Sequence, residues 1–166
     1  MNDAKNEIID DESCQLVVFE LSGEAYGVDI GSVNTIIRMQ EVTEVPRTPD
    51  YVEGVINLRG NIIPVVDLRK RFGLACGEIT KFSRIVVVET SGQLIGMIVD
   101  AVLETLRMPN SAIEPPSPVV LTVDSQYVQG VGKLDDKLVI MLDLEQVMTV
   151  HTVETLTRKE SASTAA

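Results

Sequence analysis

The sequence has no tryptophan, three phenylalanines, three tyrosines, two cysteines and one histidine in 166 residues. With so few aromatics, Val, Ile and Leu must fill the interior, and that β-branched bias favours strands. Cys14 and Cys76 stand far apart with no CxxC, so neither a redox motif nor a zinc site is written, and both read as reduced thiols. Basic residues are scarce: 14 Lys and Arg face 25 Asp and Glu, a net charge of −11. Such a surface repels phosphate backbones and anionic membranes, which argues against nucleic acid as a partner. No apolar run approaches the roughly 18 residues of a spanning helix. The acidic "MNDAKNEIIDDES" (1–13) lacks the basic-then-apolar order of a signal peptide. A cytoplasmic protein without membrane insertion is expected.

Catalytic constellations are missing too. His151 stands in the C-terminal tail, where a solvated imidazole is the ordinary reading. "GVGKL" (130–134) fails as a phosphate loop: Tyr127 occupies the first glycine position and Leu134 the place of the magnesium-binding Ser or Thr. Asp67, Asp100, Asp124 and Asp143 are scattered, with no calcium-loop spacing. The expectation is a binding module with no catalytic site, metal or cofactor. A small-molecule sensor or enzyme using a groove would need convergent polar residues, and no such cluster is written.

What is present is present twice. "LVVFELSGEAYGVDIGSVNTIIRM" (16–39) aligns without a gap on "IVVVETSGQLIGMIVDAVLETLRM" (85–108), so that Val17, Gly23, Gly27 and Val33 recur 69 positions on as Val86, Gly92, Gly96 and Val102. "YVEGVINLRGNIIPVVDLRKRFG" (51–73) recurs 76 positions on as "YVQGVGKLDDKLVIMLDLEQVMT", with Tyr51, Gly54 and Asp67 matched by Tyr127, Gly130 and Asp143. The change of offset falls in the proline-bearing "PNSAIEPPSPVVLTVDSQ" (109–126). Two ungapped blocks in the same order indicate a duplication. The tips of the second hairpin differ: Arg59-Gly60 in one copy, Asp135-Asp136 in the other.

Within each unit "QLVVFELSGEAYGVDI" reads as strand, Ser-Gly turn, strand. Val33, Ile36 and Ile37, like Val102, Leu103 and Leu106, fall at helical spacing and predict a short helix or turn. Pro64 cannot donate to a ladder, which puts its strand at an edge or a bulge. Asp67 and Asp143 lead short amphipathic segments that a carboxylate can cap. About five short strands per unit close most economically into a small barrel, and two barrels side by side leave a groove. The fold class is therefore all-β, two five-stranded barrels in tandem with short helices. "HTVETLTRKESASTAA" (151–166) reads as a C-terminal helix running into a small-residue tail.

The blocks "VFELSGEAYGVDIGSVNTII", "VPRTPDYVEGVINLRGNIIPVVDLRKRFG" and "GVGKLDDKLVIMLDLEQVM" resemble the CheW-like family of bacterial chemotaxis coupling proteins, from about residue 15 to 150. The related regulatory domain of the kinase CheA and the front half of CheV carry further domains for which 166 residues leave no room. The resemblance implies one domain over 14–150, with SH3-like subdomains at roughly 14–72 and 82–148 open to strand exchange, between a flexible tail (1–13) and the C-terminal segment (151–166). It implies an adaptor binding the cytoplasmic tip of methyl-accepting chemoreceptors and the regulatory domain of the histidine kinase CheA, a monomer alone and oligomeric within membrane-associated arrays. A parallel chemosensory pathway, with twitching or developmental output, is the alternative. By the same resemblance the receptor would meet Val33, Ile36, Gly54, Asn57, Arg59, Val86, Gly96 and Val102, as a helix laid apolar face inward in the groove. The kinase would meet the second barrel at Ile113, Val119, Val120, Asp135 and Asp136. Glu114 stands where some relatives carry a base, which weakens the case for a charge pair there.

Overall fold

The computed structural model describes residues 13–75, 77–117, 123–134 and 136–148. The N-terminal tail up to residue 12, His151 and the C-terminal segment lie outside the described residues. The strands are β1 (Ser13–Leu21), β2 (Glu24–Asp29), β3 (Val33–Arg38), β4 (Val52–Leu58), β5 (Asn61–Asp67), β6 (Arg84–Thr90), β7 (Gln93–Val99), β8 (Ala101–Pro109), β9 (Ile113–Glu114), β10 (Val128–Leu134) and β11 (Lys137–Leu142). Helix α1 (Leu68–Arg71) follows β5 and α2 (Leu144–Met148) follows β11.

The strands form two sheets, ordered β3-β6-β7-β5-β4 and β8-β1-β2-β11-β10-β9. In the first, barrel I, the opening hairpin of the second repeat (β6–β7) joins the closing hairpin of the first (β4–β5). In barrel II the opening hairpin of the first repeat (β1–β2) joins the closing hairpin of the second (β10–β11). The repeats have exchanged halves. The joins are short parallel pairings, Val65 with Gly96 and Met141 with Gly27. A Cβ on Gly96 would lie 2.8 Å from the Ile85 side chain, and one on Gly27 3.0 Å from Val139. That crowding accounts for a glycine at both places in the repeat. Each barrel closes alike: Thr43 bridges to Val55 in barrel I, and β9 pairs with β10 in barrel II.

Three hydrophobic clusters follow from this layout. Ile85 and Val87 of β6 face the interior of barrel I, whereas Val86 and Val88 face a central cluster shared by both barrels. On β1, Leu16 and Val18 enter barrel II, and Val17, Phe19 and Leu21 the centre. Both strands are buried on both faces, and so read as continuous apolar runs. Phe19, Tyr26, Phe72 and Tyr127 make a run of ring contacts with centroids 5.5–6.2 Å apart. Arg71 reaches over the rings of both Tyr51 and Tyr127 at 4.7 Å, and its Nε donates to the Val147 carbonyl at 2.9 Å. Five of the six aromatics thus sit at the joint between the barrels.

Two expectations need correcting. Residues 33–38 and 101–109 are strands, and a 3-10 turn, Ile30–Ser32, capped by Asp29, leads into β3. Alternation prevailed over helical spacing: β3 is half-buried at Val33, Thr35 and Ile37 and exposed at Asn34, Ile36 and Arg38. Pro64 lies in an interior strand, between β4 and β7. It is tolerated because its partner Val55 bonds outward to Thr43, at 2.8 and 2.9 Å, and the parallel pairing with β7 begins at Val65. The bulge is on the opposite strand, between Val52 and Gly54, and recurs between Val128 and Gly130. The "GVGKL" stretch, rejected above as a phosphate loop, is part of β10.

Candidate partner-binding surfaces

The β4–β5 hairpin turns through Arg59 (φ 53°) and Gly60 (φ 86°), two left-handed residues as a type I′ turn requires. The Asn57 side chain accepts from the Gly60 N–H at 2.9 Å, and Gln40 Nε2 donates to the Asn57 carbonyl at 3.3 Å. The tip is therefore fixed before any partner arrives. Arg59 is exposed and has no ion-pair partner among the described residues. Ile62, opposite Asn57 in the ladder, is 65% exposed. A bare cation beside a bare Ile on a rigid turn is the equipment of a contact point.

Behind this hairpin the backbone is pinned. Gly54 has φ 147°, and a Cβ there would lie 2.0 Å from the Thr43 carbonyl oxygen. Asp67 caps α1 through the Arg69 N–H at 2.9 Å, and Asp143 caps α2 through the Gln146 N–H at 3.3 Å. Arg69 is buried between Asp67 (3.4 Å) and Asp100 (3.3 Å), while Asp100 also accepts from the Ser22 N–H at 2.8 Å. That network ties the β1–β2 turn to α1. Lys70 pairs with Glu53 at 2.7 Å, and this hydrogen bond raises the Lys70 pKa.

Barrel II carries an open cavity of about 710 Å³, walled by Val18, Ala25, Leu103, Leu138 and Val139 among others. Its rim holds two ion pairs, Lys137–Glu104 at 2.7 Å and Lys133–Glu114 at 3.1 Å. A smaller cleft of about 330 Å³ between the barrels is lined by Asp29, Glu89, Asp143 and Glu145 with Ser and Thr hydroxyls. That cleft is acidic, not the apolar groove expected between the barrels. Among the described residues no group of three or more His, Cys, Asp or Glu is placed to hold a metal ion. No helix among them is long and apolar enough to cross a membrane.

The CheW-like domain family matches residues 15–151. The chain belongs to that family. It is 35% identical to the chemotaxis protein CheW of Helicobacter pylori over 138 residues, covering 83% of each chain. It is 34% identical to the CheW of Thermotoga maritima over 143 residues, 84% of this chain and 91% of that one. The crystal structure of the scaffolding protein TtCheW from Thermoanaerobacter tengcongensis superposes with a TM-score of 0.80 at 45% identity, covering 86% and 92% of the two chains. The fold is that of a CheW scaffold, two SH3-like β subdomains in tandem.

Within that CheW-like frame the expected receptor residues separate into two groups. Val86 has no exposed surface and belongs to the central cluster; Gly54 and Gly96 are buried where a side chain has no room. These three shape the scaffold and offer no surface to touch. Asn57, Arg59 and Ile36 are exposed, and the repeat mates Val33 and Val102 are half-buried against the central cluster. On the kinase side, Ile113 packs under barrel II and Asp136 is exposed, while Val119, Val120 and Asp135 lie outside the described residues. Sequence reasoning missed Ile62, Arg69, Arg71 and the barrel II cavity. The arginines had a signal: where Asp67 and Leu68 repeat, Arg69 and Arg71 are replaced by Glu145 and Val147.

Proposed function

We propose that this chain is a non-catalytic adaptor at the cytoplasmic face of chemoreceptor arrays. It joins the tip of methyl-accepting receptors to the regulatory domain of the histidine kinase CheA. The observation that carries this reading is the Arg59 tip, fixed by Asn57 and Gly60 and without an ion-pair partner among the described residues, on a chain of the CheW-like family. The receptor contact includes Arg59, Asn57 and Ile36, flanked by Val33 and Val102, with Gly54, Val86 and Gly96 holding the backbone behind them. The kinase contact is made by the second barrel, through Ile113, Val119, Val120, Asp135 and Asp136. Two small, separate interfaces suit a protein that is monomeric alone and assembles only with its partners.

The test is co-sedimentation of the protein with receptor signalling fragments on liposomes and CheA, with kinase activity followed. Receptor-dependent activation should require this protein. Arg59→Glu should abolish it, and Arg59→Asn, which suits the same turn, should reduce it. Full activation with Arg59→Glu would sink the assignment of the tip, and activation without the protein the adaptor role.

A further inference from the structure

The segment Gly77–Arg84 connects α1 to β6, and its Gly77 carbonyl accepts from Arg69 at 3.0 Å. It is held as a tight turn: Ser83 N–H donates to the Thr80 carbonyl (3.1 Å), Thr80 N–H to Ser83 Oγ (2.9 Å), and Phe82 N–H to Thr80 Oγ1 (3.1 Å). Ser83 is buried, yet its neighbour Phe82 is 59% exposed and Ile79 50% exposed. The Lys81 ammonium lies 5.2 Å from the Phe82 ring centroid. Arg84 donates to the Lys81 and Ser83 carbonyls, both at 2.8 Å, and so braces the turn from below.

Arg84 stands directly opposite Arg38 in the β3–β6 ladder. Like charges in that position repel. None of Arg38, Lys81 and Arg84 has an ion-pair partner among the described residues, although acids outnumber bases 25 to 14 in the chain. Glu78 is the one acid in the segment. The chain has three phenylalanines, and this one stands in solvent, on a braced turn, inside a cationic patch. Anything covering Phe82 must be apolar at the centre and negative around it.

We propose that Ile79, Lys81, Phe82 and Arg38 form a docking surface for an acidic amphipathic segment of a partner protein. The partner's apolar side chain packs on Phe82 and its carboxylates lie between Arg38, Lys81 and Arg84, relieving the arginine pair. A protein segment fits better than an anionic bilayer, because the rest of a −11 chain is repelled by a charged plane but not by one narrow strand or helix.

The test uses the full chain and a fluorescein-labelled 18-residue amphipathic peptide of Glu, Ala and Leu, with a twin in which Gln replaces Glu. Anisotropy titrations should show binding of the Glu peptide that weakens as salt shortens the screening length, and at least about tenfold weaker binding of the Gln twin. Lys81→Glu, Arg38→Glu and Phe82→Ser should each weaken the Glu peptide by about tenfold or more, the scale of an interface anchor. No binding, or binding that the three variants leave unchanged, overturns the proposal. Flotation with phosphatidylglycerol vesicles that depends on Lys81 and Phe82, without peptide binding, would overturn it in favour of a membrane contact.

Discussion

Replacing Arg71 by methionine keeps most of the side chain's length and removes the cation from between two tyrosine rings. Both centroids lie 4.7 Å from the guanidinium carbon, and Nε donates to Val147 at 2.9 Å. At this half-buried position each cation–π contact is worth about 1 kcal/mol, and the hydrogen bond from a charged donor about 1.5 kcal/mol. The loss is therefore expected at about 3.5 kcal/mol, since methionine retains the packing of the stem. Urea unfolding followed by tyrosine fluorescence and far-ultraviolet circular dichroism measures it, and the two transitions should still coincide. Arg71→Lys should recover less than half, because an ammonium cannot face both rings and the carbonyl at once. Tyr51→Phe is the control: it keeps the ring, and it removes a buried hydroxyl that has no hydrogen-bond partner among the described residues, so it should cost nothing. Arg71→Met within about 0.5 kcal/mol of the parent, with the ±0.5 spread of ordinary surface substitutions, would refute the clamp.

Three further outcomes are expected. Gly54→Ala meets both a disfavoured φ of 147° and the Thr43 carbonyl, so it should destabilise by more than about 3 kcal/mol or prevent folding, read by the same unfolding curves. Arg59→Asn should leave stability equal or slightly raised, because Asn suits φ 53° better than Arg, and a large loss of stability would mean the tip is held by something other than its turn. The Lys70 pKa is raised in the folded state, so its pairing with Glu53 stabilises fully below the unfolded lysine value and is lost as pH climbs through the folded one. Glu53→Gln should accordingly cost less than about 1 kcal/mol at pH 8, and on the alkaline side that cost should vanish as Lys70 loses its proton.

The repeat made the two-barrel plan legible, because an offset of whole hairpins fixes how many strands there are and which resemble one another. Asp67 and Asp143 were readable as caps for a local reason: a carboxylate two or three residues before its N–H partner needs no tertiary context. Residues 33–38 were not, because Val33, Ile36 and Ile37 satisfy a helical spacing as well as a strand, and only pairing with β6 decides between them. Pro64 misled because the rule against interior proline presumes a full ladder on both sides, whereas Thr43 takes over the bonds of Val55. At the candidate site, exposure was the missing quantity. Val86 and Ile36 are both aliphatic and fall opposite each other in register, yet one is wholly buried and the other 40% exposed.

The exchange of halves has a consequence for folding that the repeat alone would not suggest. If each repeat closed its own barrel, residues 1–76 would hold a complete unit. Instead β1 pairs with β8, β2 with β11, β5 with β7 and β3 with β6, every one a contact between repeats. Among the described residues of the first repeat only the hairpins β1–β2 and β4–β5 remain, together with the Thr43 bridge. Isolated hairpins are marginal in water, and the central cluster draws on both halves. Fragments 1–76 and 77–166 should therefore each be unfolded by circular dichroism. Mixed, they should recover the strand signal and co-elute as a one-to-one complex, because the cut falls in the α1–β6 connection and severs no ladder. A folded 1–76 fragment would mean that the repeats can close on themselves, and that the exchanged arrangement is one of two available packings.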